Sequence, residues 1–286
     1  MCLLFVYINP DPGEDGFSLV LVNARDEFFH RPSKPAEFWE DEPDIIGGRD
    51  QEKGREGGTW MAVSKKGRLA ALLNILQPAD RMDPTKRGRG FLVVDFVKST
   101  MDGSTYLAQL AKDKDEYNGF LFVTIEAKQV VPRDKKVSMG YYSNLQKDGP
   151  KVLEPGCYAF GNSVPPQFWA KVRCGKEKFE KLVGENDHFS KRDQFRKKLF
   201  DFLDDQTQYP VDDDMRKQSK EPESTLKLMN QMKYILPNHN YGTRTQSILF
   251  VDGNGKAEFT EKTMKEPIDI KSTIVWETRS FSFDIA

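Results

Sequence analysis

The strongest structural signal in the chain is a β-hairpin near its C-terminal end. Residues 247–251 and 256–260 are rich in β-branched and aromatic side chains, and Asp252-Gly253-Asn254-Gly255 lies between them. Asp-Gly and Asn-Gly pairs readily adopt the positive φ angles that tight hairpin turns require. Two adjacent antiparallel strands are therefore predicted here, and an antiparallel sheet restricts the folds that the rest of the chain can adopt.

The same pattern recurs along the chain. Further predicted strands occupy residues 2–8, 17–23, 59–63, 69–73, 120–125, 137–143, 158–160, 272–276 and 280–285. Predicted helices occupy residues 90–101, 104–111 (with Ser104 as N-cap), 167–183 and a segment that starts near 190, and residues 204–223 are predicted to be a solvated loop. Because the strands form hairpins and the helices fall between strand groups, the pattern predicts a single α+β domain over residues 1–286.

Composition excludes several classes of protein. The 43 basic and 44 acidic residues leave a net charge of -1, so a nucleic-acid partner is not expected. Three scattered cysteines are too few for a disulfide framework, and the sequence offers no metal or nucleotide motif. No apolar run approaches the roughly 20 residues that span a bilayer. A cytoplasmic protein that is not secreted is therefore expected.

Cys2 follows the initiator methionine and admits two interpretations. It is either a small hydrophobic residue at the start of a strand or a nucleophile that becomes the first residue once Met1 is removed. In the second case the terminal α-amine, with a pKa of about 7.7–8.0, can take the thiol proton. Such a mechanism also needs hydrogen-bond donors for a developing oxyanion.

Polar residues at the ends of predicted strands are the candidates to orient the terminus and, in the case of Asn74 and Asn162, to hold the oxyanion. Arg25 and Asp26 follow the second strand, Asn74 and Asn162 end LAALLN and YAFGN, and Arg244 precedes a late strand. If the first two strands form a hairpin, the far end of the second lies beside Cys2. The alternative is structural, because asparagines at strand ends often satisfy turns and Arg–Asp pairs are often salt bridges.

Several quoted segments occur together in one known family. MCLLFVYINPDP, ARDEFFHRPSKPAEFW, GREGGTWMAVSKKGRLAALLN, YGTRTQSILFVDGNGKAEFTEK and WETRSFSF resemble, in this order, the transport and Golgi organisation family. That family is also called NRDE after an Asn-Arg-Asp-Glu tetrad. Here Arg25, Asp26 and Glu27 match the tetrad, but Asn23 lies one position early, which on a strand places it on the opposite face.

The resemblance extends to the N-terminal-nucleophile hydrolases. It implies an αββα sandwich, in which two antiparallel sheets lie between helical layers. Cysteine amidases of that superfamily share a first cysteine, an early arginine and aspartate, two asparagines at strand ends and a late arginine. The residues of this chain that match are Cys2, Arg25, Asp26, Asn74, Asn162 and Arg244. The resemblance thus implies a cysteine amide hydrolase acting on an acyl amide as one candidate function.

The same family is linked to Golgi organisation, to lipid and mitochondrial homeostasis, and to moving haem out of haem-rich organelles. The resemblance therefore implies an intracellular carrier, or chaperone, whose partner is haem or another hydrophobic small molecule, with peripheral contact to mitochondrial or Golgi membranes. Trp60 would stack on the porphyrin and Arg25 or Arg244 would meet a carboxylate, while His30 and His239 are candidate iron ligands. The residues alone leave a third alternative open, a scaffold that acts through partners.

Overall fold

Two antiparallel sheets pack face to face and carry helices on their outer surfaces. The computed structural model describes residues 2–130 and 134–285. In chain order the strands are β1 (Leu3–Ile8), β2 (Phe17–Phe28), β3 (Ser33–Trp39), β4 (Glu42–Asp50), β5 (Met61–Ser64), β6 (Arg68–Asn74), β7 (Phe120–Val130), β8 (Asp134–Ser143), β9 (Lys151–Leu153), β10 (Gly156–Phe160), β11 (Ile235–Leu236), β12 (Tyr241–Asp252), β13 (Lys256–Met264) and β14 (Trp276–Asp284). One sheet has the order β10-β1-β2-β12-β13-β14, with β11 paired to β12, and the other runs from β3 to β9.

The helices fall between the strand groups. They are α1 (Phe91–Lys98), α2 (Gly103–Leu110), α3 (Ala170–Gly184), α4 (Arg192–Leu203), α5 (Asp213–Gln218) and α6 (Glu223–Met229). Short 3-10 turns occupy Ala79–Arg81, Lys114–Glu116, Phe189–Lys191 and Pro237–His239. Within the described ranges, no helix has the length and apolar character needed to cross a membrane.

Side-chain alternation along β2 explains the four layers. Leu19 and Leu21 belong to the apolar cluster between the two sheets, whereas Val20 and Val22 belong to the cluster under α3 and α4. A third cluster lies between the second sheet and α1 and α2. Since successive strand residues point to opposite faces, a strand that is apolar on both faces must be covered on both. The predicted α+β sandwich of two antiparallel sheets between helical layers is confirmed.

The predicted hairpins are also confirmed. Strands β12 and β13 pair across the Asp-Gly-Asn-Gly turn, and β1 pairs with β2, β5 with β6 and β7 with β8. The prediction of a strand over 272–276 was wrong except for Trp276, which begins β14. Strands β3 and β4 were not predicted, because Pro35 and Gly47-Gly48 resemble turn signals. Proline is tolerated in β3 because that strand lies at the edge of its sheet.

Two local predictions about helices were wrong. Asp102, not Ser104, caps α2, since its carboxylate accepts from the Thr105 N–H at 2.9 Å. Residues 204–223 are not a plain solvated loop, because they contain α5, whose Met215 is fully buried against Trp169 and its neighbours. The charged residues of this segment obscured the apolar ones, Tyr209, Val211 and Met215, which pack against the core.

A buried ion pair fastens the helical layer of the second sheet. Arg68 Nη1 donates to Glu126 Oε1 at 2.7 Å, and both side chains are at least nine-tenths buried. Arg68 also donates to the carbonyls of Phe96 and Met101, and Glu126 Oε2 accepts from the Gly103 N–H at 2.8 Å. The pair therefore holds the end of α1 and the start of α2 against β6 and β7.

Replacing Glu126 with alanine should destabilise the protein by about 3 kcal/mol, because it leaves the Arg68 charge buried without its carboxylate. The measurement is the free energy of unfolding from urea denaturation at neutral pH. Glu116→Ala, at a carboxylate that is about half exposed, is the matched control and should change stability by less than about 0.5 kcal/mol. Equal stabilities for the two variants would contradict this account of the ion pair.

Candidate functional site

The start of β1 and the far end of β2 lie side by side at one edge of the space between the sheets. The antiparallel register pairs Leu3 with Ala24, so Cys2, just before this pair, stands beside Arg25, just after it. Cys2 is 8% exposed, and Arg25 and Asp26 are each 4% exposed. The neighbourhood expected from the hairpin is therefore observed: the second residue of the chain meets the Arg-Asp-Glu segment.

Arg25 reaches across the gap between the sheets to Trp60. Its guanidinium carbon lies 4.1 Å from the centroid of the indole, a cation–π distance. Arg25 Nη2 is 3.7 Å from Glu27 Oε2, whereas its buried Nη1 has no hydrogen-bond partner among the described residues. The expectation that Trp60 offers an open face to a flat ligand needs correction, because Arg25 already covers one face of the ring.

These residues line a cleft of ≈ 270 Å³, here called the cationic cleft. Its lining includes Cys2, Trp60 and Asn74. Its charged lining residues are Arg25, Arg31, Arg55, Lys86, Arg87 and Arg89 on the positive side and Asp26, Glu27, Asp50 and Asp83 on the negative side. Cations outnumber carboxylates, so the cleft favours an anionic group on its ligand.

The Cys2 thiol lies in a setting that holds its proton. Burial raises the pKa of Cys2, and the nearby Asp26 carboxylate raises it further, while Arg25 opposes the shift. A thiol with a raised pKa is largely protonated at neutral pH, so it is a poor nucleophile unless a base takes its proton. Met1, whose removal would free such a base, lies outside the described residues.

A second, larger cleft adjoins the first. This apolar cleft has a volume of ≈ 780 Å³, and its apolar lining includes Phe28, Leu76, Pro78, Met82, Met229 and Leu236. The two clefts share Glu27, Arg31, Asn74, Met82 and Arg89 as a common wall. An apolar chamber therefore opens directly beside a cationic one.

The common wall carries two arginines with different partners. Arg31 donates to both carboxylate oxygens of Asp50, at 3.2 and 2.6 Å, so its charge is largely matched. Arg89 donates through Nη1 to the Gly119 carbonyl at 2.7 Å. Burial lowers the pKa of Arg89 to about 10, although Glu27 opposes this shift. Arg89 still carries its charge at neutral pH and forms no salt bridge with any described residue, so it is the stronger candidate to meet a ligand carboxylate.

The two predicted asparagines are joined to one another. Asn74 is exposed at the end of β6 and lines both clefts, and its carbonyl accepts from Asn162 Nδ2 at 2.6 Å. Asn162 is 1% exposed, lines the apolar cleft, and its Oδ1 has no hydrogen-bond partner in the described part of the chain. Asn74 therefore lies in the same cleft as Cys2, and Asn162 lies behind Asn74.

Arg244 lies apart from both linings. It occupies the position where the β2–β12 register shifts, between Thr243 and Thr245, and is 1% exposed. Its Nη1 donates to the carbonyls of Phe28 and Arg31 at 3.0 and 2.6 Å, and its Nη2 donates to Glu266 Oε1 at 2.5 Å. This corrects the expectation of a ligand contact, since the guanidinium is used to fasten the connection between β2 and β3.

The candidate histidines also differ in position. His30 is exposed, packs its ring 5.3 Å from that of Phe28, and is not among the lining residues of either cleft. His239 lines the apolar cleft, with Nε2 3.4 Å from Glu221 Oε2. Only His239 of the two is therefore placed to contact a ligand there. No cluster of three or more His, Cys, Asp or Glu suited to a metal ion occurs among the described residues.

Several lining residues were not predicted as site residues. Arg89 belongs to the basic segment KRGRG, which the sequence presents as a turn, and Met82 and Pro78 lie in the loop before it. The one usable signal was the density of Lys and Arg in residues 86–89 beside a predicted helix start. Sequence spacing carries no information on which sheet edge such a loop covers.

The comparisons with known proteins decide the family. The model of the family described as Transport and Golgi organisation 2 matches residues 1–266. This chain belongs to that family. Its relatives include the transport and Golgi organization 2 homolog of Mus musculus, 35% identical over 291 residues, which cover 100% of this chain and 99% of that protein. The Homo sapiens homolog is 34% identical over 286 residues, with coverages of 100% and 99%.

The similarity extends to a more distant animal protein and to solved structures. The Drosophila melanogaster protein Transport and Golgi organization protein 2 is 32% identical over 270 residues and covers 92% of each chain. A crystal structure of a mutant conjugated bile acid hydrolase from Clostridium perfringens has a TM-score of 0.40 and 10% identity, covering 99% of this chain and 97% of that one.

Behind Arg25, a buried carboxyl links the two sheets. Glu261 on β13 is 1% exposed, and its Oε1 accepts from the Ala36 N–H of β3 at 2.7 Å. Burial raises the pKa of Glu261 to about 7, while the Ala36 hydrogen bond and the Arg25 charge oppose the shift. The folded protein therefore holds this proton at pH values at which an unfolded glutamate, with a pKa of about 4.3, has released it.

Stability should consequently fall as pH rises from about 4.3 to 7, because the folded state binds the proton that the unfolded state lacks. Between pH 5 and pH 8 the free energy of unfolding, measured with urea, should fall by about 2 kcal/mol less in Glu261→Gln than in the wild type. Glu116→Gln, at an exposed site, should keep the wild-type pH dependence. If Glu261→Gln loses as much stability as the wild type over this range, another group holds the proton.

Proposed function

We propose that the protein binds an amphipathic carboxylate across the two clefts and carries it within the cell, with haem as the leading ligand. The observation that carries this proposal is the common wall between an apolar cleft of ≈ 780 Å³ and a cation-rich cleft. Clefts of roughly 300–1,000 Å³ enclose ligands of drug size. A molecule with a wide apolar body and carboxylates on one side satisfies both clefts at once.

Haem has that distribution of groups. Its macrocycle would lie among the apolar side chains, such as Leu76 and Met229, and its propionates would face Arg89 and the unpartnered Nη1 of Arg25. Charge-assisted hydrogen bonds from guanidinium to carboxylate are stronger than neutral ones and fix the orientation of the ligand. In this arrangement Trp60 supports Arg25 from behind and does not contact the porphyrin face to face.

His239 is the proposed iron ligand. It lines the apolar cleft, and Glu221 lies 3.4 Å from its Nε2, in the position of a carboxylate that orients a ligating imidazole. The side chain is 44% exposed, on a short 3-10 turn. A single ligand on an exposed turn suits a carrier, because the contact can be broken when haem is passed on.

Titration of the purified protein with haem should give a saturable change of the Soret band at one haem per chain. Arg89→Gln should weaken binding about tenfold, or about 1.4 kcal/mol, by removing one propionate contact. Arg279→Gln is the matched control, on β14 and absent from the lining of either cleft, and should bind as the wild type does. The absence of a saturable change would overturn the haem proposal.

Two further arms separate the ring contacts from the iron contact. His239→Ala should shift the Soret maximum, whereas His30→Ala should not, because only His239 lines the apolar cleft. If apolar burial and the propionates supply most of the affinity, the Kd of iron-free protoporphyrin should lie within about tenfold of the Kd of haem. A Soret band unchanged in His239→Ala would assign the iron contact to another residue.

The position of Cys2 favours a second candidate, a cysteine amidase. After removal of Met1, the α-amine of Cys2 would take the thiol proton, which would overcome the raised pKa of the buried thiol. The sulfur would attack the amide carbonyl carbon while Arg25 Nη1 donates to the oxygen that becomes negative. The C–N bond would then break, the amine would leave with the proton, and water would hydrolyse the resulting thioester to a carboxylic acid and the free thiol.

Intact mass spectrometry tests the first requirement, since retention of Met1 leaves Cys2 without a free amine. With Met1 removed, hydrolysis of a panel of N-acyl amino acids should be detectable, and Cys2→Ala should lower it by at least about a thousandfold. Cys174→Ala, a half-buried cysteine on α3, should leave the rate unchanged. Retained Met1, or equal rates for the two variants, would overturn the amidase candidate.

A further inference from the structure

A lysine lies buried behind the cleft, on the helical side of the first sheet. Lys171, on the first turn of α3, is 0% exposed. Its Nζ donates to the Met229 carbonyl at 2.7 Å and is 3.5 Å from the Gln231 carbonyl. A fully buried ammonium is costly unless it has both hydrogen-bond partners and a nearby opposite charge. The two carbonyls are the hydrogen-bond partners, so the opposite charge must come from another residue.

Asp26, near the end of β2, supplies that negative charge. Burial lowers the pKa of Lys171 to about 8, and the shift is opposed by attraction to Asp26 and then to Cys2. The Lys171 Nζ lies 5.5 Å from the ring centroid of Tyr234. Tyr234 lies close to Asp26, because Thr243 pairs with Asp26 in the β2–β12 register and its N–H donates to the Tyr234 carbonyl at 2.9 Å. Burial and the Asp26 carboxylate both raise the pKa of the Tyr234 hydroxyl. Lys171, Tyr234, Asp26 and Cys2 are therefore all buried and act on one another electrostatically between α3 and the cationic cleft.

The alternation of side chains along β2 explains how neighbouring residues act on the two sides of the sheet. Arg25 points into the space between the sheets, where it meets Trp60, and Asp26, the next residue, points to the helical side, where Tyr234 and Lys171 lie. Asp26 still lines the cleft because it stands at the sheet edge. One carboxylate thus couples a buried cation to the cleft that contains Cys2.

We propose that Lys171 is a positioning residue for this site: its buried ammonium, beside Tyr234, holds the Asp26 carboxylate in place and offsets the negative charge of that carboxylate, which favours ionisation of the Cys2 thiol. The inference rests on the second candidate function, in which Cys2 reacts as a thiolate. At pH values below about 8 the ammonium is mostly charged and supports the site, and this support is lost as pH rises further. The charged or titratable residues that act on Cys2 are Arg25, Asp26, Arg89, Lys171, Tyr234 and Tyr241, together with the chain's amino terminus.

The test is the pH dependence of Cys2 alkylation by iodoacetamide in the full chain, read by peptide mass so that Cys157 and Cys174 serve as internal references. Lys171→Met keeps the length of the side chain and removes the charge. We expect its alkylation midpoint to move up by about one pH unit, which lowers the rate at neutral pH about tenfold. A merely structural defect would change the alkylation rates of all three cysteines and leave the pH midpoint of Cys2 in place.

Lys178→Met is the matched control, because Lys178 lies on the same helix but is about half exposed and pairs with Asp205. It should leave the Cys2 midpoint unchanged. Tyr234→Phe is the second variant, used alongside thermal unfolding in case Lys171→Met does not fold. Loss of the polar hydroxyl leaves the charge of the nearby Asp26 carboxylate less compensated, and that charge raises the pKa of Cys2. The Cys2 midpoint should therefore again move up, by less than in Lys171→Met.

The outcomes separate the two proposals. If wild-type Cys2 is alkylated with a clear midpoint and neither folded Lys171→Met nor folded Tyr234→Phe shifts it, Lys171 has no positioning role and the amidase candidate survives. If wild-type Cys2 does not react at any pH, the amidase candidate and the inference fail together. An upward shift in Lys171→Met, or in Tyr234→Phe where the first does not fold, supports the inference.

Discussion

The antiparallel pairing of β2 with β1 on one side and β12 on the other is the constraint on which the site depends. It places the second residue of the chain beside Arg25, and it places the register shift at Arg244 behind the same segment. A slip by one residue would move every side chain of β2 to the opposite face, so Arg25 would leave the space between the sheets and lose its contact with Trp60. The geometry around Cys2 is thus inherited from a packed core and does not depend on loops.

Much of this core could be predicted from the sequence, because hairpins are encoded locally. Turn residues such as Gly67 and Asp252-Gly253-Asn254-Gly255 mark where strands reverse, and the partner strand follows at once. The pairing of β2 with β12 has no such signal, since more than 200 residues separate them. The clefts were harder still, because the loop that carries Met82 and Arg89 acquires its role only from the sheet edge it covers.

Residue chemistry alone does not show which aromatic and cationic side chains already contact one another. Trp60 and Arg25 each have the character of a ligand contact, but the structure places them against each other at 4.1 Å. Arg244 has the same chemistry as Arg25 and yet donates to backbone carbonyls and Glu266. Each arginine keeps one buried N–H without a hydrogen-bond partner among the described residues, Nη1 in Arg25 and Nε in Arg244. The difference is position: Arg25 lines the cationic cleft, whereas Arg244 lines neither cleft, so only the free N–H of Arg25 can meet a ligand there.

The two candidate functions draw on one electrostatic arrangement. Carboxylates such as Asp50 neutralise part of the cationic lining, as in the pair with Arg31, but Arg89 remains charged and half-buried beside the apolar cleft. A ligand carboxylate there gains from low local polarity, whether it belongs to a carried molecule or to the acid released from an amide. What distinguishes the candidates is Cys2, because a buried thiol that keeps its proton is inert towards cargo and becomes a nucleophile only beside a base. The state of the amino terminus therefore separates the two proposals.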